Sequence, residues 1–527
     1  MKRIGLSFLL IITPILLIAQ KNEDWFNKDV TKSGQAGASV NKVEELVKGK
    51  QAKKVIVAVI DSGIDVDHED LKENIWVNTD EIPGNGIDDD NNGYIDDVNG
   101  WNFLGGADGN IIEETYETTR IYRRLKPKYE GRARKSITPE EEGEFELYKE
   151  TKKETEKQYN KTLKQIEDFS VLEENLSIVN SILEAELLDK PINKETVKAI
   201  RSRSERVLAA RDYMLRLYEN DFIQADFDEY MKDLRNKIKY HYNLDYNPRT
   251  VVGDNPDDPF EKGYGNNKVS GSFTRHGTHV AGIIGANRDN SIGINGVAHN
   301  VSIMVLRAVP DGDERDKDVA NAIIYAVDNG ARIVNMSFGK GHSPAKEAVD
   351  KAVKYAEDKG VLLINSAGNA HINVDKIDQF PTREFTTNGL SGRASNWITV
   401  GASDREVGPE LAANFSNYGR QNVDIFAPGV RIYSTVPDNK YEELDGTSMA
   451  APVVSGVAAL VLNYYPDLTA AQLKDVLLSS AVDYKKTKVY IPGDEEERLK
   501  TKFKKLSSTG RIVNAYNALK YAAKKYQ

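Results

Sequence analysis

The sequence predicts an α/β fold: a doubly wound, mainly parallel sheet flanked by helices, interrupted by a long charged helical-hairpin insertion. Three observations predict it. Short, nearly unbroken Val/Ile runs alternate with helical patterns and Gly-rich turns over residues 52–110 and about 262–527. Strands buried on both faces read this way, and alternation with helices winds them into a parallel sheet. The region between, about 112–245, is rich in Glu, Lys and Arg and poor in Gly, with apolar residues at helical spacing. Finally, the 527 residues include no cysteine. Neither disulfides nor thiolate zinc sites can staple the chain, so a large core, bound metal ions or both must hold it.

The elements follow in order. Met1-Lys2-Arg3 is a short positive region, residues 6–18 are almost wholly apolar, and polar residues begin at Lys21. That is the layout of a secretory signal peptide, 1–20, and the apolar run is too short to span a bilayer comfortably. Export to a secreted or periplasmic location is expected, with no membrane span in the mature chain. A lead-in, 21–51, follows, in which 41–47 reads as a short helix packed on the core. Residues 54–60 (KVIVAVI), 302–308, 332–337, 361–365 and 397–402 read as buried strands, and 316–329 and 346–359 as helices. The α/β core therefore splits into 52–111 and 246–527, with the insertion, 112–245, between them. Inside the insertion Leu172, Leu176, Val179, Leu183 and Leu187 make one helical stripe, and Val197, Ile200, Val207, Met214 and Tyr218 another. Pro191 falls between the two and breaks the first helix, which predicts an antiparallel hairpin with a further helix over 227–240.

Chemistry-bearing residues stand at the ends of these elements. Asp61-Ser62-Gly63 closes the first strand, and the C-terminal edge of a parallel sheet is where such folds build sites. His276 opens a helix in His276-Gly277-Thr278-His279-Val280-Ala281-Gly282. Ser448 opens another in Gly446-Thr447-Ser448-Met449-Ala450-Ala451-Pro452, where the helix dipole favours developing negative charge. A fourth segment, Ser366-Ala367-Gly368-Asn369, follows a strand.

With these four motifs in this order, the chain resembles the subtilisin family of serine peptidases over about 52–110 and 262–525. The resemblance implies Ser448 as nucleophile, His276 as general base and then acid, and Asp61 as the group that orients the imidazole. It implies Asn369 as a side-chain donor to the oxyanion, beside the Ser448 N–H. It also implies that an extended peptide or protein substrate lies as a strand along Ser337, Phe338 and Gly339 and along about 309–318. Phe338 and Gly339 would border a roomy apolar primary pocket, while Asp311, Asp313, Glu314 and Asp316 could favour a basic residue further back. His279 and His68 are expected to be packed residues, since His279 lacks the Glu of a two-His zinc helix. Family members commonly carry a folded inhibitory propeptide, and residues 21–49 are too few for one.

Calcium (Ca2+) is the expected cofactor. Asp88, Asp90, Asn92 and Asp96 place oxygen ligands at alternate positions around Gly93, as in a calcium loop. Position 12 is Asn99 in place of a bidentate Glu, which shifts that role to Asp97 or a distant acid. The resemblance implies a second site, with Asp70 and Asn290 as side-chain ligands. The net charge of −10 argues against nucleic acid as a partner. A reading from a different class, a peptidase-fold binding or chaperone-like protein presenting the helical insertion to a partner, is disfavoured because no triad residue is lost.

Overall fold

A computed structural model of the chain describes residues 24–288, 290–493 and 498–526. The expected signal peptide lies outside the described residues. Two compact units emerge: one built from the chain up to Ile112 together with the chain from Pro248 onward, the other from Glu113–Asn247.

The first unit is organised by a nine-stranded sheet. Its strands are β1 (Val55–Asp61), β2 (Gly100–Asn102), β3 (Val301–Arg307), β4 (Ile333–Met336), β5 (Leu362–Ser366), β6 (Trp397–Ser403), β7 (Ile425–Pro428), β8 (Val482–Asp483) and β9 (Arg511–Ile512). They lie in the order β8-β9-β7-β6-β5-β4-β1-β3-β2. All neighbours are parallel except β8 and β9 at one edge. The predicted strands are present with ends shifted by no more than one residue. β2, β7, β8 and β9 were not anticipated; they are short, and their burial is created by neighbours distant in the chain.

The continuous apolar runs follow from burial on both faces. Val57 and Val59 of β1 join a core with the helices Arg275–Gly285, Thr447–Tyr464, Ala470–Ser480 and Ala515–Lys525. Ala58 and Ile60 point the other way, into a core with the helices Asp316–Asp328 and Lys346–Asp358. Each fully buried aliphatic side chain contributes roughly 1.5–3 kcal/mol, so a polar substitution at Val59 or Ile60 would strike the centre of one layer. Thr447–Tyr464 is the one helix among the described residues long and apolar enough to cross a bilayer, and it is sunk in the first of these cores.

The lead-in belongs to this fold. Trp25 and Phe26 are buried, and the Trp25 indole N–H donates to the carbonyls of Val430 and Arg431, both at 3.2 Å. Val40 and Val43 are also buried, beside the short helix Glu44–Val47.

The second unit is helical: Glu117–Tyr129, Glu142–Leu187, Lys194–Ala199, Glu205–Glu219 and Gln224–Asn236, followed by a π-turn at Lys237–His241. The predicted stripe is spent inside it. Leu176, Val179 and Leu183 pack with Val197, Val207, Met214 and Phe227 in one cluster, while Ile121, Leu125, Tyr129, Phe145 and Tyr148 make another. The hairpin's first arm is a 46-residue helix that starts well before the stripe does. Its second arm is broken at Ile200, and Ser204 caps the resumed helix by accepting from the Val207 N–H. Glu117–Tyr129 was not predicted, because Pro127 and its dense charge obscure the periodicity.

Candidate active site

Asp61 ends β1 and is almost wholly buried. Its carbonyl accepts from the amides of Ala308 and Val309, which holds the strand end against the turn after β3. His276 is the second residue of its helix, and its Nδ1–H donates to Asp61 Oδ1 at 2.7 Å. Gly277 makes that approach possible. A Cβ there would sit 2.1 Å from the Gly63 carbonyl oxygen, so any other residue would push the helix off the β1 turn. Burial pulls the His276 pKa down, but the charge and hydrogen bond of Asp61 outweigh it and leave the imidazole above the ordinary histidine value.

Ser448 is the second residue of the Thr447–Tyr464 helix, which packs against the His276 helix. Its hydroxyl donates to the Ser337 carbonyl at 3.0 Å, and its own carbonyl accepts from Ser337 Oγ at 2.9 Å. No hydrogen bond joins Ser448 to His276 among the described residues. Nucleophile and base commonly close this contact only when substrate is bound. Behind Ser337, Asn335 Nδ2 donates to its hydroxyl, and Ser455 Oγ donates to Asn335 Oδ1, so a buried polar chain ties β4 to the Ser448 helix.

Asn369 is fixed from the helix that carries Ser448. Its Oδ1 accepts from Thr447 N at 2.9 Å and from Thr447 Oγ1 at 2.8 Å. That consumes the acceptor end and leaves the amide Nδ2 as the free donor, beside Gly446. Gly368 precedes it at φ +97°, and a Cβ there would meet Asn417 Nδ2 at 2.5 Å. Asn369 and the Ser448 N–H thus belong to one rigid assembly.

The segment expected to bind substrate is Ser337, Phe338 and Gly339. Phe338 is largely buried in the core and offers no open apolar wall. Gly339 faces Gln379, whose amide nitrogen would lie 2.8 Å from a Cβ at 339. A cavity of about 380 Å³ opens beside Asn365–Ala367, and its lining includes Asp375, Gln379, Arg383 and Glu384. Val374, Phe380 and Pro381 line it as well, so the surround mixes polar and apolar groups where a roomy apolar pocket was expected. Gln379 carries no sequence signal for this place, since it lies about forty residues downstream of Gly339 and only the fold brings the two together. Of the four acids expected to attract a basic residue, Glu314 and Asp316 are buried, and Asp316 pairs with Lys340 at 2.9 Å. Neither faces a substrate as a free charge.

His279 is buried and neutral: burial drives its pKa down to about 3, and Nε2 bonds to the Glu442 carbonyl at 3.1 Å. His68 is buried edge-on against Tyr441, and its Nδ1 accepts from the Asp70 amide at 3.1 Å.

The two loops expected to hold calcium behave differently. Asp70 and Asn290 do meet, Nδ2 donating to Oδ1 at 2.6 Å, and the Ile294 amide donates to Asp70 Oδ2 at 3.0 Å. Burial raises the Asp70 pKa. In the acidic loop, the alternate-residue ligand set does not converge. Asp88 accepts from the amides of Asn92 and Gly93, and Asp96 from those of Gly84, Asn85 and Gly86. The carboxylates that do converge are Glu81, Asp90 and Asp97, with oxygens within 4.8 Å of one another. Asn92 donates to both Asp90 and Asp97, as does Asn78. Burial, with the nearby Asp90 charge, raises the Asp97 pKa. Among the described residues no Lys or Arg pairs with the three, so the donor set fits a hard divalent cation. Glu81 had no sequence signal, since it stands outside the repeating pattern.

Residues 52–504 match the model of the subtilase family. Subtilisin DY from Bacillus licheniformis is 38% identical over 211 residues, which cover 40% of this chain and 70% of that protein. The Thermophilic serine proteinase of Bacillus sp. strain AK1 is 37% identical over 251 residues, 47% of this chain and 53% of that one. Among solved structures, proteases from Pseudoalteromonas arctica share 28% identity over 47% of this chain and 70% of theirs, with a TM-score of 0.37. With an Asp–His pair at a sheet edge, a serine at the start of an apolar helix and a family match over most of its length, the chain belongs to the subtilase family of serine endopeptidases.

Proposed function

We propose that the protein is an exported serine endopeptidase that hydrolyses peptide bonds through Ser448, His276 and Asp61. The observation that carries this is the 2.7 Å contact between His276 Nδ1 and the buried Asp61 carboxylate. It sets the tautomer with the other ring nitrogen, Nε2, free to accept a proton. Ser448 Oγ turns from the Ser337 carbonyl to Nε2, gives up its proton and attacks the scissile carbonyl carbon. The oxyanion so formed accepts hydrogen bonds from Asn369 Nδ2 and the Ser448 N–H. Collapse breaks the C–N bond, and the imidazolium returns the proton to the leaving amine. Water then attacks the acyl-enzyme with His276 again as base, restoring the hydroxyl and releasing the acid. An extended substrate lies along 337–339 and 309–318, adding as a strand. The signal-peptide layout at 1–20 supports a secreted or periplasmic location.

Calcium fits two groups of residues, Asp70 with Asn290 and Glu81 with Asp90 and Asp97. A bound ion would supply charge neutralisation to buried carboxylates and cross-link loops in a chain without disulfides.

Ser448→Ala should lower kcat on casein on the order of 10⁶-fold, the size of effect known for this family's nucleophile, while the fold is retained. A phosphonate that labels serine nucleophiles should modify wild type at Ser448 alone. Activity of the purified Ala variant equal to wild type would falsify the assignment. Asn369→Ala should cost about 10²–10³-fold in kcat, a range established within this family, with KM little changed.

A further inference from the structure

We propose that Lys340 is a positioning residue that locks together the two edges between which substrate lies. This rests on the cleft reading above, in which 337–339 and 309–318 flank an extended peptide. Lys340 follows Gly339 directly, and its backbone is already committed. Its amide donates to the Phe380 carbonyl at 2.9 Å, and its carbonyl accepts from the Phe380 amide at 2.8 Å. The side chain reaches across to the other edge. Nζ donates to the Glu314 carbonyl at 2.8 Å and pairs with Asp316 Oδ1 at 2.9 Å. One residue therefore joins three segments: 337–340, 379–380 and 314–316.

The far side of the strut is anchored independently. Asp316 Oδ2 accepts from the Ala345 amide at 2.8 Å. Its neighbour Lys317 pairs with Asp254 and Glu261, and Asp318 is held by the Arg249 guanidinium at 2.7 Å through both oxygens. Three consecutive residues at the start of one helix are thus tied to three different parts of the unit. The Lys340 side chain is 2% exposed and that of Asp316 5%, so water cannot substitute for either partner. A buried charge of this kind holds its geometry, because any splaying of the edges would leave an uncompensated ion.

The 337–340 segment also touches the nucleophile, through the paired Ser337–Ser448 contacts. Lys340 itself reaches neither Ser448 nor His276. Its effect should therefore fall on binding of residues remote from the cut. Short and long substrates separate these roles, because a one-residue chromogenic amide uses the catalytic groups alone and a four-residue one also lies along both edges.

Lys340→Met should raise KM for the four-residue substrate about tenfold with kcat within twofold, and leave the one-residue substrate within twofold in kcat/KM. Asp316→Asn with Lys340→Met removes both members of the ion pair, leaving only the buried Glu314 carboxyl beside the vacated position, and should show the same KM rise. Its effect should fall well short of the product of the two single variants. Circular dichroism melts report folding of each variant; if Lys340→Met alone does not fold, the double variant decides. Equal losses on both substrate lengths, or an unchanged KM in the folded double variant, overturns the strut. Wild type that cleaves neither substrate, or cleavage that survives Ser448→Ala, would instead sink the peptidase reading beneath it.

Discussion

The two units solve the same problem, a charged chain with no covalent cross-links, in opposite ways. The sheet unit takes charges inside. Arg249 with Asp318 and Lys340 with Asp316 are nearly inaccessible to water, and Arg383 grips Asp424 at 2.8 Å in a similar position. The helical unit keeps most of its charges out. Lys152–Glu130 and Arg235–Glu173 are solvent-facing pairs, and Arg120 with Glu114 and Glu117 is a buried exception. Its apolar residues form narrow stripes between helices in place of two continuous layers. The difference teaches where specificity of structure resides. Solvated pairs decorate a helix and tolerate change, whereas desolvated pairs dictate which loops meet, and it is those loops that carry the site.

Chemistry offers the sharpest way to break the comparison. Asp61→Asn keeps the volume of the side chain and removes its charge, and should lower kcat about 10⁴-fold. It should also move the pH profile. Asp61 holds the His276 pKa above the ordinary value, and the imidazole must be neutral to act as base. The acid limb of wild-type kcat/KM should lie above the usual histidine range, and the Asn variant's limb should shift to lower pH. A limb that stays in place would mean that another group sets it. The same interaction has a stability counterpart of definite sign. A histidine whose folded pKa is raised stabilises the fold below its unfolded pKa, and this contribution fades as pH rises through the folded one.

Next in size is the contrast between buried and solvated pairs. Arg249→Met leaves Asp254 and Asp318 buried with one cation fewer and should cost roughly 3–5 kcal/mol. Arg235→Met in the helical unit should cost no more than about 1 kcal/mol. Denaturant melts of the two variants test the ranking directly; equal costs would erase the distinction drawn above.

Calcium removal should come third. A ligand at a hundredfold excess over its Kd adds about 2.7 kcal/mol, so chelation should lower Tm and speed self-digestion. Asp97→Asn and Asp90→Asn should each lose part of the calcium response, and Asp88→Asn should keep it, because Asp88 is spent on backbone amides. A response lost equally from Asp88→Asn would restore the simpler alternating-ligand loop.

Smallest of all should be the effect of replacing residues 113–247 with a Gly/Ser linker. The helical unit owns its core clusters and the sheet unit owns every proposed catalytic group. Cleavage of short chromogenic peptides should therefore stay within about threefold. Folded protein substrates supply the second arm. A changed rate on them alone would give the insertion a role in substrate access or partner docking, and equal rates on both classes would leave it neither.

Much of this molecule is legible before folding. A strand buried on both faces must be apolar without interruption, and a helix packed on one side must repeat near every 3.6 residues. The five principal strands and both arms of the helical hairpin follow from that alone. Asp61, His276, Asn369 and Ser448 sit inside dense local motifs whose glycines serve close approach, as Gly277 does against Gly63. Local constraint writes itself into adjacent letters. What depended on tertiary structure is every contact whose partners are far apart in the chain. Glu81 displaces Asp88 and Asp96 from the converging acids, Gln379 fills the space beside Gly339, and Lys340 reaches Asp316. A carboxylate in a string shows neither its depth nor its partner, and the same Asp can cap a turn, bind an ion or clamp a cleft. Desolvation chooses among these, and desolvation exists only once the layers have closed.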